Sequence, residues 1–165
     1  MKKPLIEIIR NIILNETDIP AERVWIYNQN QKLPKDSGAF VILENRNPIV
    51  YANNNRIKAN GEKLEEHQSI NMQENIVICV CSKNTEASLK TPEIMMALSS
   101  TYSQQTEEKY GFHISNINQA TELSFLEETA MLQRYDINIR CLTVYNKTRS
   151  IDYYDKYNVN IMYNQ

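Results

Sequence analysis

At 165 residues, with 42% hydrophobic and 23% charged side chains, the chain is long enough for one domain with a real core and has an ordinary globular composition. A formal net charge of −2 and a pI near 5.8 argue against nucleic-acid affinity as the main activity, which calls for a basic surplus. Its three glycines, Gly38, Gly61 and Gly111, stand far apart, so the clustered glycines of a P-loop or dinucleotide-binding turn are excluded, and no apolar run reaches the length of a membrane span.

Leu5, Ile8, Ile9, Ile12 and Ile13 recur at helical spacing and predict an amphipathic helix over 4–15. Glu7 and Arg10 interrupt the apolar stretch that a signal peptide needs, so a chain that is cytosolic where it is made is expected. After a turn around Asp18-Ile19-Pro20, residues 23–29 (RVWIYNQ) alternate as a half-buried strand, Val24 and Ile26 against Trp25 and Tyr27. A turn cluster at 33–38 leads to a second strand over 39–45. Residues 47–72 read as a short strand, an exposed tip around Asn53-Asn54-Asn55 and a long polar strand, which together make a polar β-arm projecting from the body. Arg56, Lys58 and Lys63 on this tip have the chemistry to touch phosphates, but Glu62, Glu65 and Glu66 beside them favour a solvated hairpin.

Residues 75–83 (NIVICVCSK) form the most apolar strand. Residues 84–110 read as the second helix, with Pro92 near its start or dividing it, and with Ile94, Met95, Leu98 and Tyr102 as its apolar stripe. Met95 and Met96 fit either core filling or a flexible contact surface. Gly111 is placed to end this helix at its C′ position. A short strand over 112–118, a polar connection over 119–128 and a strand over 130–146 follow. In the last, Tyr135, Ile137, Ile139, Cys141 and Thr143 face one way and Asp136, Asn138 and Arg140 the other. Residues 147–150 (KTRS) read as a turn, and 151–163 as an irregular stretch ending in a strand through Val159 and Ile161. Tyr153, Tyr154 and Tyr157, set among Asp152 and Asp155, have the composition of a protein contact or of a closed core edge. The expected architecture is α+β: a single domain over 1–165, mainly antiparallel β-sheet flanked by two helices, with an arm at about 47–72.

Chemistry is sparse in this pattern. Cys79 and Cys81 share one face of a strand, about 6.6 Å apart at roughly 3.3 Å per residue, with parallel Cβ directions unsuited to a disulfide. A metal site needs two further ligands, from Cys141 and either His67 or His113, and the spacing matches no zinc template. With Ile76, Val77, Ile78 and Val80 around them, these cysteines read as small apolar core residues. Neighbouring carboxylates Glu65-Glu66 and Glu127-Glu128 point to opposite faces if extended, and read as solvated positions rather than an acid/base pair. No catalytic, metal or cofactor-binding set is expected. The alternative is a small metal-binding or enzymatic protein built on Cys79, Cys81 and Cys141.

Three joints in the chain carry a family resemblance. NIVICVCSKNTEA is a strand that breaks into a helix after a small polar cluster. LQRYDINIRCLTVYN is a late alternating strand with an arginine-aromatic entry, and SIDYYDKYNVNI is a closing segment with Ile-Asp and aromatics ahead of a last strand. In this and in its element order the chain resembles the tail terminator and neck proteins of tailed bacteriophages. The resemblance implies a structural virion protein without enzymatic activity. It implies a homo-oligomeric ring, six-fold or possibly twelve-fold, in the neck or at the head-proximal end of the tail. Such a ring caps the tail tube, joins portal or adaptor proteins to the tail, and lets DNA pass without specific binding; another adaptor of a phage-like particle is the neighbouring reading. Arg56, Lys58, Met95, Met96, Tyr153, Tyr154 and Tyr157 are the expected contacts to other subunits or partners.

Overall fold

A computed structural model describes residues 3–27, 32, 34–60, 63–127 and 130–151. The chain begins with helix α1 (Leu5–Glu16), which buries the five residues its spacing selects, Leu5, Ile8, Ile9, Ile12 and Ile13. Burying each contributes about 1.5–3 kcal/mol, so this face alone commits the helix to the sheet. Arg10 ties this joint: its Nε donates to the Val24 carbonyl at 2.6 Å and its Nη2 to the Ala21 carbonyl at 2.9 Å. α1 is thereby tied to the start of strand β1 (Val24–Ile26).

β1 pairs in parallel with the first residues of β2 (Phe40–Asn60); the remaining pairings are antiparallel, in the order β1-β2-β3-β7-β4. β3 spans Lys63–Ser82, β4 Phe112–Ile117 and β7 Ala130–Ile151, while β5 (Thr121–Glu122) and β6 (Phe125–Glu127) lie on β7 within the stretch expected as a plain connection. The described fold is therefore α+β with a mainly antiparallel sheet, as the sequence predicts, although with one parallel joint.

The second helix is two helices. α2 (Glu86–Leu98) stops at Ser99, and Ser100 caps α3 (Thr101–Tyr110) by accepting from the Ser103 N–H at 3.1 Å. Two adjacent serines compete with the helix backbone for hydrogen bonds, and this break outweighs the apolar stripe that carries on to Tyr102. Pro92 sits inside α2 without dividing it. Gly111 ends α3 in the left-handed region, φ 66° and ψ 52°, which glycine adopts without a Cβ penalty.

Among the described residues, α1 and α2 pack on one face of the sheet, and α3 packs against α1 and β4. On that face α1, α2 and Ile19 enclose a core with Val24, Val41, Leu43, Ile76, Ile78, Val80, Ile137, Ile139 and Cys141. The opposite face carries a smaller cluster of Trp25, Phe40, Val77, Cys79, Cys81 and Leu132, with the Trp25 and Phe40 rings stacked at 5.4 Å. β1, β2 and β3 are apolar on both faces here, which explains why the 75–82 run is continuous rather than alternating.

The arm differs from the expected hairpin. β2 and β3 stay paired from Phe40↔Cys81 out to Asn60↔Lys63, so Asn53, Asn54 and Asn55 lie within a strand and not at a tip. A third strand completes it: β7 continues through Ile151, and residues 147–150, expected as a turn, pair with 65–68 of β3. Local turn propensity loses to this tertiary pairing, in which Arg149 reaches the Glu66 carboxylate.

Replacing Ile12 by Ala should cost about 2–5 kcal/mol of stability, the usual penalty for a cavity at a fully buried isoleucine. Urea unfolding measures it, and a loss below about 1 kcal/mol would contradict the packing of α1 on the sheet.

Candidate assembly surfaces

β1 leaves β2 after Leu43, and β4 leaves β7 after Thr143. Beyond these points only β2, β3 and β7 continue, as a three-stranded arm without a helix behind it. The eight residues of β3 from 64 to 71 carry it about 25 Å at roughly 3.3 Å per residue. Two irregularities in β2, between Arg46 and Ile49 and between Val50 and Ala52, lie at its base. Asn47, at φ 48°, takes the left-handed conformation that asparagine tolerates, and Pro48 occupies a stretch with no outer partner strand among the described residues.

Two buried carboxylates on the middle strand hold the three strands together. Glu74 accepts from Asn45 Nδ2 on β2 at 2.7 Å, and from Thr143 Oγ1 at 3.2 Å and Tyr145 Oη at 2.9 Å on β7. Burial first, and the Glu74 carboxylate next, push the Tyr145 phenol above its ordinary value. Eight residues further out the pattern repeats: Glu66 accepts from Asn55 Nδ2 at 2.6 Å and Gln68 Nε2 at 3.1 Å, and pairs with Arg149. The Asn55 hydrogen bond first, then Arg149, hold the Glu66 carboxyl below the usual glutamate value. Glu66 is 7% exposed, so the expectation of a solvated face holds for neither its environment nor its role; Glu65 points to the other side. No local motif announces these residues, because each carboxylate is defined by partners on two other strands.

The expected contact residues separate. Arg56 and Lys58 lie on the exposed outer strand of the arm, pointing away from the face that holds Glu66 and Glu74. Met95 is half-buried against the core, whereas Met96 is 68% exposed and lines up with exposed Leu89 and Pro92 along the outside of α2. Adjacent residues on a helix point about 100° apart, so the two methionines do not form one surface. Tyr153, Tyr154 and Tyr157 lie outside the described residues.

The cysteines divide as well. All three are buried free thiols. Cys79 and Cys81 belong to the smaller cluster and Cys141 to the helix-side core, on opposite faces of the sheet, so one ion cannot reach all three. Arg134 donates to Asp136 at 2.7 and 2.9 Å and touches Cys79 Sγ at 3.2 Å. Burial nevertheless dominates and pushes the Cys79 and Cys141 thiols up to about 12. His67 contacts Thr148 and Glu65, and His113 contacts Glu107, in separate places. Among the described residues, no group of three His, Cys, Asp or Glu is arranged to hold a metal ion, and no helix is long and apolar enough to cross a membrane.

An open pocket beside α2 is lined by ion pairs that already satisfy one another. Arg23 meets Asp36 at 2.6 Å, Lys90 pairs with Asp18 and with Glu93, and Glu86 accepts from the Ala39 N–H at 2.5 Å. It pins loop 34–39 to the helix and leaves no unpartnered group aimed at a ligand among these residues. The sequence matches no protein-family model and no curated protein.

Two outcomes follow. Because the Glu66 carboxyl titrates lower in the folded arm than in an unfolded chain, its contribution is present above the unfolded value near 4.5 and is lost as pH falls through the depressed folded value. Amide NMR signals of 54–58 and 147–150 should therefore broaden or shift below pH 4.5 before those of β3 in the core, and Glu66→Gln should remove that difference. Unchanged arm signals down to the global unfolding pH would reject the pin. In thiol titration at pH 8, the native protein should react slowly at all three cysteines, and the denatured chain quickly at three; a fast native thiol would contradict the buried assignment.

Proposed function

We propose that this protein is a structural virion component that assembles into a ring in the neck of a tailed bacteriophage or at the head-proximal end of its tail. In that position it joins portal or adaptor proteins to the tail and caps the tail tube. The observation that carries this reading is the arm: a three-stranded extension held by buried polar pins, exposing Val50 and Tyr51 at its base and Ile57 farther out, each more than half accessible. Beyond the helix-backed body the arm gives a neighbour a rigid, polar-pinned surface to grip. The family resemblance of the three sequence joints supplies the particular assembly. The arm and the outer ridge of α2, Leu89, Pro92 and Met96, supply two unlike patches, which suits the head-to-tail contacts of a ring.

Light scattering at high protein concentration with negative-stain imaging of the same sample tests the reading, followed by addition of purified tail tubes or portal–adaptor complexes. Open-centred rings, or density capping tube ends, are expected. A protein that stays monomeric and leaves both tubes and connectors bare overturns it.

A further inference from the structure

Among the described residues the arm ends in two strand edges of matched length and height that carry no outer strand. On its outer side, residues 54–59 of β2 pair inward with 69–64 of β3; on its other side, residues 146–151 of β7 pair inward with the same 69–64. Neither stretch has a strand on its far edge among the described residues, and both are exposed but for the half-exposed Ile151. Unpaired edge N–H and C=O groups of this kind are a template for strand addition. We infer that the two edges join: β2 of one copy's arm pairs with β7 of the next copy's arm, so that the subunits are linked by a continuous β-sheet. This rests on the ring reading above and specifies how its subunits join.

The charges select this joint over the alternatives. Arg56 and Lys58 project to one face of the arm, while Lys147 and Arg149 project to the other. At equal height, Arg56 comes beside Thr148, Lys58 beside Ser150, Asn55 beside Lys147 and Ile57 beside Arg149 of the neighbour. No cation meets a cation, and sliding the joint by two residues keeps them on separate faces. Antiparallel pairing of an edge with its own copy behaves differently. Two copies that continue one sheet this way keep their faces, and directly opposed residues share a face, so the registers nearest full overlap are those one residue to either side. For 54–59 they bring Arg56 against Arg56 or against Lys58, and for 146–151 they bring Lys147 against Arg149 or Arg149 against Arg149, which is destabilising at directly opposed positions. The favoured joint is thus heterologous, and such joints close into rings or run on as filaments.

β2 and β7 run in the same direction, each antiparallel to β3, so a joint between rotated copies is parallel. Parallel pairing is slightly weaker per residue, which places formation of the joint at assembly, after the body contacts bring copies together. Six copies, the number the resemblance implies, would contribute eighteen strands, the range in which β-barrels hold an open water-filled channel.

Cysteine cross-linking of the full chain tests the joint. Asn54→Cys is combined with Asn146→Cys, and separately with Thr148→Cys to cover a two-residue slide. Within one subunit these pairs lie across β3, two strand spacings or about 10 Å apart, too far for a disulfide. Oxidation of assembled protein should therefore give a ladder of trimers and larger species in at least one double variant, and none in the single variants. Dimers from Asn54→Cys or Asn146→Cys alone would mean an edge paired with its own copy and would overturn the inference. Rings that form without any ladder would overturn it and leave the ring reading standing. A monomer that neither cross-links nor binds tail tubes would overturn both.

Discussion

Coverage of β3 on both edges along its length is the constraint on which this structure rests. Its backbone groups are met by β2 from Phe40 to Asn60 on one side and by β7 from Gln133 to Ile151 on the other. In the body this strand is the apolar floor on which the helices lie; in the arm it is polar, and its neighbours grip two of its carboxylates, Glu74 just inside the body at the root of the arm and Glu66 within the arm. A two-stranded hairpin of that length, polar on both faces, would be marginal in water. The third strand makes it a small sheet, and Glu66 and Glu74 fix the register that a pattern of alternating polar residues leaves weakly specified.

What could be read from the sequence was what is local. The helical spacing of Leu5 to Ile13, the left-handed stop at Gly111 and the buried character of 75–82 each depend on residues within a few positions of one another. The third strand of the arm depends on Arg149 meeting Glu66, 83 positions away, and the composition of 147–150 by itself favours a turn. Asn53-Asn54-Asn55 misleads in the same way, since asparagine suits turns but its amide equally bridges strands, as Asn55 does to Glu66. The break at Ser99-Ser100 is legible in principle, because two adjacent serines before a threonine are a capping signal, although an apolar stripe at helical spacing runs across them. Among the candidate contacts, Arg56, Lys58 and Met96 are at the surface, Met95 packs on the core, and the tyrosines beyond Ile151 lie outside the described residues.

The edges of the arm are managed unevenly. At the base of β2, where Asn47, Pro48 and Tyr51 disturb the register, the proline and the irregularities block regular pairing with another strand. Further out neither device is present: 54–59 contains no proline and no register shift, and neither does 146–151. Among the described residues, protection at the root and a regular ladder at the end put the edges suited to the proposed joint where the arm is farthest from its own body.

A net charge of −2 conceals this arrangement. The two outer stretches of the arm, 54–59 and 146–151, contain four cations and no acid, while the stretch of β3 between them contains Glu65 and Glu66. Mean composition argues soundly against a nucleic-acid binder but says nothing about where the charges stand. Here two cations lie on each face, and each pair sits on a different edge strand. Charges placed in this way discourage an exposed strand from pairing with its own copy without obstructing the unlike edge. In the proposed joint the same four side chains would serve two ends, keeping the arm of a free subunit from pairing with its own copy and leaving its backbone to the unlike edge of a neighbour.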